Sequence, residues 1–97
     1  MDREVVSQMV IEAVRQVQTA SGRSVGSISL TTCPISDLEG FDSLSGVEAT
    51  VMLCESLGHD LPDDYNPFLS KDGRRALSVS EITNNLCEII RVRTTGK

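Results

Sequence analysis

Apolar residues recur at steps of three and four in three stretches of this chain. Between residues 3 and 18, Val6, Met9, Val10, Ala13, Val14 and Val17 share one side of a helix. Asp2 and Glu4 lie near its positive end, and Gly22 and Gly26 break the pattern in "TASGRSVGS". A last helix starts at Ser78, with Val79, Ile82, Leu86, Ile89 and Ile90 as its stripe and Ser78-x-x-Glu81 as a capping box. Its tail, "RTTGK", is expected to fray. The third helix runs from Ser43 to Leu57 and stops at Gly58, a residue suited to the left-handed turn past a helix end.

The intervening segments are less regular. Residues 19 to 41 form a long connection, which Val25, Ile28, Leu30, Ile35 and Leu38 are expected to pin to the core. It has room for a short strand at "SISL" or a helical turn at "SDLE", and a loop of this length in a compact domain is often functional. A short helix is expected between Pro62 and Lys71. Three amphipathic helices bury their stripes most economically against one another. The expected architecture is therefore all-α: a small bundle of three main helices and one short one, with a long first connection. One domain is expected across residues 1–97, with its core at about 3–91.

The helix from Ser43 is the unusual one. On a wheel of ~100° per residue, Ala49, Thr50, Leu53 and Leu57 form one arc. Leu44, Val47 and Val51 form a neighbouring arc, edged by Glu48 and Glu55. The first arc is a core stripe. The second is either a widening of that stripe, which periodicity alone favours, or an exposed apolar patch with an acidic edge, as a partner-binding surface has.

Composition narrows the function classes. A net charge of −5 disfavours nucleic acid, whose phosphates would repel the chain; it serves either solubility alone or attraction to basic surfaces on other proteins. With two Phe, one Tyr and no Trp, the core is expected to be aliphatic. Cys33, Cys54 and Cys87 are too scattered for a metal site and fit a reducing compartment. No signal-peptide pattern opens the chain, and no apolar run is of membrane-spanning length. A cytoplasmic location without membrane insertion is expected.

The order of these features resembles the acyl carrier protein family over about residues 3 to 91. Gly40, Asp42, Ser43 and Leu44 match the family's Asp-Ser-Leu motif at a helix start. Val47, Glu48, Leu53 and Glu55 match the helix that follows, Leu61-Pro62-Asp63 resembles the step after that helix, and Val79 and Ile82 match the last helix. The resemblance implies a four-helix bundle whose Ser43 carries 4′-phosphopantetheine, transferred from coenzyme A by a phosphopantetheinyl transferase, with Asp42 and Leu44 flanking the attachment. The arm's thiol would hold an acyl group as a thioester for acyl-transferring or synthase enzymes. Leu44, Val47, Glu48, Val51 and Glu55 would form the docking face. Such a chain is a carrier and not an enzyme, and is expected to be a monomer.

Three features depart from the family's pattern. Ser45 stands where an acid is common, Cys54 interrupts an acidic stretch, and the segment from Asp63 to Leu77, with "KDGRR", is long. They favour a carrier for a specialised fatty-acid, lipid or polyketide pathway. An aliphatic core could part around a fatty cargo. The alternatives are a peptidyl or aminoacyl carrier, and an unmodified helical interaction module in which Ser43 is only a cap. Other candidate chemistry is thinner. His59, Asp60, Asp63 and Asp64 lack calcium-loop spacing and read as a solvated loop. Arg74 and Arg75 read as a solvated turn, and Cys33 has only one histidine in the whole chain to pair with.

Overall fold

Helix α1 spans Arg3–Ala20, α2 Pro34–Asp37, α3 Ser43–Leu57 and α4 Val79–Thr95. The computed structural model describes residues 2–23, 26–38, 40–58, 66–70 and 72–95, with side chains through residue 90. Among these the fold is all-α, three main helices and a short one. The extended pairing is limited to an isolated bridge between Leu69 and Ala76. Helix α1 packs against both α3 and α4.

The stripes predicted for the outer helices face inward. Val6, Val10, Ala13, Val14 and Val17 of α1 meet Ala49, Leu53 and Leu57 of α3 and Val79, Ile82, Leu86 and Ile90 of α4 in one core. Each fully buried aliphatic side chain contributes roughly 1.5–3 kcal/mol relative to exposure. Met9 is only partly buried at the edge. Helix α1 closes in a Schellman motif. Gly22 takes φ +71°, the Arg23 N–H donates to the Gln18 carbonyl at 2.9 Å and the Gly22 N–H to Thr19 at 3.1 Å.

The long connection differs in detail from expectation. Its helical turn begins at Pro34, a residue whose fixed φ and missing N–H suit a first helical position. "SISL" forms no strand. Ile28, Ile35 and Leu38 pack against the core, but Leu30 is 51% exposed and anchors through its backbone. The Leu30 and Thr32 carbonyls accept the N–H groups of Ser80 and Val79, both at 2.9 Å. Val25 lies outside the described residues.

Two further expectations change. Of the short helix expected between Pro62 and Lys71, residues 66–70 form a turn and a bridge strand residue instead, and the remainder lies outside the described residues. The core is not purely aliphatic: Phe41 and Phe68 are both buried, with ring centroids 5.5 Å apart and planes tilted by 58°. At the other end of the chain, α4 runs through Thr95, into the segment expected to fray.

Candidate functional site

The site is the start of α3, and three segments hold it. The first is the helix itself. Asp42 is its cap, with extended backbone and a carboxylate that accepts the Ser45 N–H at 3.0 Å. That bond chiefly, with help from the Ser45 hydroxyl, the Leu44 N–H and the positive charge of Arg23, holds the Asp42 carboxyl below its ordinary range despite some desolvation. Asp42 therefore does the capping. Ser43, the first helical residue, is exposed, and its hydroxyl has no hydrogen-bond partner among the described residues.

The second segment is the turn at residues 66–68. Asn66 Nδ2 donates to the Ser43 carbonyl at 3.4 Å, and its Oδ1 accepts the Phe68 N–H at 3.0 Å. This side chain lies flat against Gly46: a Cβ there would meet the Asn66 amide at 3.1 and 3.2 Å and the Phe68 ring at 3.4 Å. Phe68 continues to the lead-in of α4, where its carbonyl accepts the Leu77 N–H at 3.0 Å.

The third segment is the end of α1. Arg23 reaches from the Schellman turn to donate through a guanidinium nitrogen to Ser45 Oγ at 3.1 Å. Ser45 is buried. The arginine crosses Gly40, whose φ is +67°. Any side chain at Gly40 would place its Cβ 2.7 Å from Arg23 Nε. Position 40 thus favours glycine for its left-handed conformation, and a side chain there would also push the Arg23 side chain aside.

Beside Ser43 the second arc of α3 points outward. Leu44 is 69% exposed, Val47 51% and Val51 56%, with Glu48 and Glu55 exposed at their edge. The wider core stripe favoured by periodicity is not what forms. The core face is Ala49, Leu53 and Leu57, with Ser45 and Gly46 buried at its upper end. Thr50 is half-buried, and its hydroxyl donates back to the Gly46 carbonyl at 2.6 Å.

The remaining candidates separate from this site. Arg75 forks onto Glu81, with guanidinium nitrogens at 3.2 and 3.3 Å from one carboxylate oxygen, and Arg74 is exposed. Cys33, Cys54 and Cys87 are free and half-buried. Among the described residues no cluster of potential ligands is arranged for a metal, and His59, Asp60, Asp63, Asp64 and the Leu61-Pro62-Asp63 step lie outside them. No described helix is long and apolar enough to cross a membrane. A groove of about 780 Å³ runs between α1 and α3, with Val5, Met9, Ala13 and Met52 among its lining and Glu4 and Glu12 beside them.

Sequence reasoning placed Gly40 in the helix-start motif but missed Arg23 and Asn66 as parts of this site. Glycine before an Asp-Ser-Leu helix start hinted at a special backbone. Contacts across 22 and 23 residues leave no local signal. No family model matches the chain, and comparison with curated proteins and with solved structures finds no match either.

Proposed function

We propose that this chain is a free-standing acyl carrier, holding acyl intermediates as thioesters on a 4′-phosphopantetheine arm attached to Ser43. The observation that carries the reading is the division of labour at the start of α3. Asp42 takes the capping role, so the neighbouring serine stands exposed and uncommitted among the described residues at the first helical position. A phosphodiester there meets the positive end of the helix. Leu44, Val47 and Val51, edged by Glu48 and Glu55, give an enzyme with an apolar, basic-rimmed groove a surface to dock on. The chain's own part is to present and move the tethered group, and tethering raises its effective concentration at successive active sites. The cargo belongs to a specialised fatty-acid, lipid or polyketide pathway.

The test is intact mass. Apo protein incubated with coenzyme A and a broad-specificity phosphopantetheinyl transferase gains the mass of one arm, and Ser43→Ala gains none. No gain in the wild type, or an equal gain in Ser43→Ala, rejects the carrier reading.

A further inference from the structure

The groove between α1 and α3 has no part in holding Ser43. On the α1 wall, Glu4, Gln8, Glu12 and Gln16 form one row, and Val5, Met9 and Ala13 form a second beside it. Both rows step by four residues, so together they follow the groove for about 18 Å, a little over three helical turns. Met52 contributes from α3. The floor is apolar and adaptable. Val5 is 43% exposed, while Met9 and Met52 are half-buried against the core, and methionine is unbranched and repacks readily around a new neighbour.

The charges around this floor have one sign. Glu4 and Glu12 line the α1 wall. On α3, Glu48 and Glu55 are the i−4 and i+3 neighbours of Met52. All four acids are exposed. Glu12 has Arg15 at 3.7 Å, but Glu4, Glu48 and Glu55 have no ion-pair partner among the described residues. No basic side chain lines the groove among the described residues.

That combination discriminates between occupants. A second copy of the chain would bring the same acids against their own images, because a two-fold contact pairs a patch with itself. A hydrocarbon chain would cover the floor and leave the acids unpaired. An amphipathic helix of about three turns meets both demands. Its apolar residues at i, i+3, i+4 and i+7 reach the floor, and lysines or arginines beside them reach the acids on either wall.

We infer that the α1–α3 groove docks a basic amphipathic helix of a partner protein, apart from the exposed arc of Leu44, Val47 and Val51. The inference does not rest on the carrier reading, since it needs no arm on Ser43, and apo protein tests it.

The probe is a side-chain-crosslinked helical peptide of about fourteen residues, long enough to span the groove, with leucines in one stripe and lysines flanking it. Its control is a crosslinked isomer of the same composition whose leucines are spread around the helix. Binding to the full chain is measured by fluorescence anisotropy, and the contact is mapped by backbone-amide NMR. The striped peptide should bind several-fold more tightly than its isomer and shift the amides of Val5, Met9 and Met52. Glu4→Lys with Glu12→Lys should weaken it about tenfold at low salt, because two exposed attractions become repulsions. Equal binding of the isomer, an unchanged affinity in the reversed variant, or shifts centred on Leu44, Val47 and Val51 overturns the proposal. Should the double reversal not fold, Glu4→Gln with Glu12→Gln removes the charges and adds none; the striped peptide must still bind it more weakly than wild type, and equal affinity overturns the proposal. Two rival occupants are distinguished by the same amides. A dimer of the free chain that shifts them gives the groove to a second copy. A medium-length saturated acyl group on the Ser43 arm that shifts them and expels the peptide gives it to the chain's own cargo. Either result overturns the proposal.

Discussion

Helices α3 and α4 begin in opposite ways. At α4 every early N–H has a protein partner. Ser78 and Glu81 cap each other, with the Ser78 N–H 2.9 Å from Glu81 Oε1 and the Glu81 N–H 3.2 Å from Ser78 Oγ. The next two N–H groups go to the Thr32 and Leu30 carbonyls of the long connection. At α3 the cap is one-sided: Asp42 accepts from Ser45, and the Ser43 N–H has no partner among the described residues. Helix starts leave four N–H groups to satisfy. The protein closes one set with its own atoms and leaves in the other, among the described residues, the N–H of an exposed serine unbonded. The closed start is explained by stability alone. The open one is held by Arg23, Asn66 and Phe68 from two distant segments, which is more support than a solvent-facing cap needs.

The largest effect is expected from removing that support. Phe68→Ala deletes a ring buried against Phe41 and Gly46 and should cost about 3–5 kcal/mol in denaturant unfolding, as large-to-small aromatic changes in cores do. A cost below about 1 kcal/mol means that the aromatic pair does not buttress the α3 start. Next come the two serines. Ser78→Ala should destabilise by about 1 kcal/mol through loss of the reciprocal cap, whereas Ser43→Ala should stay within about 0.5 kcal/mol. Equal costs would erase the contrast between a structural and an available helix start.

Acid probes both starts together. In the folded protein the Ser78 N–H, with Arg75, holds Glu81 below its ordinary range, as the Ser45 N–H does for Asp42. The Ser70 hydroxyl and the Arg74 N–H do the same for Asp72. Groups lowered by folding stabilise at pH values above their unfolded pKa, about 4. That contribution is lost as pH falls through the folded values. The melting temperature should therefore be level from about pH 7 to 5 and fall below about pH 4. Glu81→Gln and Asp42→Asn should each make the acid fall shallower, and an unchanged fall in both variants breaks the assignment of acid sensitivity to the helix starts.

How far the sequence reveals these features depends on the range of the interactions involved. The stripes of α1 and α4 and the Ser78–Glu81 box are local patterns of period three and four, and they were legible. Helix α2 is too short for periodicity to register: a turn at "SDLE" is one of two possibilities the sequence offers in the connection, and the helix forms two residues earlier, at Pro34–Asp37. Two phenylalanines in a chain this poor in aromatics suggested no aromatic core, yet Phe41 and Phe68 meet from distant segments because both flank the start of α3. The orientation of Leu44, Val47 and Val51 was open for a similar reason. A helix wheel gives the angle between two arcs but not how many neighbours cover them. Among the described residues, only α1 packs on α3 with an extensive helix contact, and the second arc stays exposed. Ser43 and Asp42 were legible as a motif, while the arginine that ties Ser45 to the end of α1 was not.

The smallest structural effect is expected on that bare arc, where the change should appear in kinetics. Glu48 and Glu55 are exposed, and among the described residues neither has an ion-pair partner. Reversing both, Glu48→Lys with Glu55→Lys, disturbs no packing within the fold and should leave helicity and melting temperature nearly unchanged. If the arc is the docking face, the reversal alters long-range attraction to a basic partner, which acts on association rate and fades with salt. Arm attachment at limiting transferase should slow several-fold at low salt and approach the wild-type rate as salt rises. A rate equal to wild type at low salt moves docking away from this helix face. A slowdown that persists at high salt points to a short-range interaction at Glu48 or Glu55 in place of steering. Replacing Val47 and Val51 by serine completes the separation, because a complex that buries less apolar surface dissociates faster, with little dependence on salt.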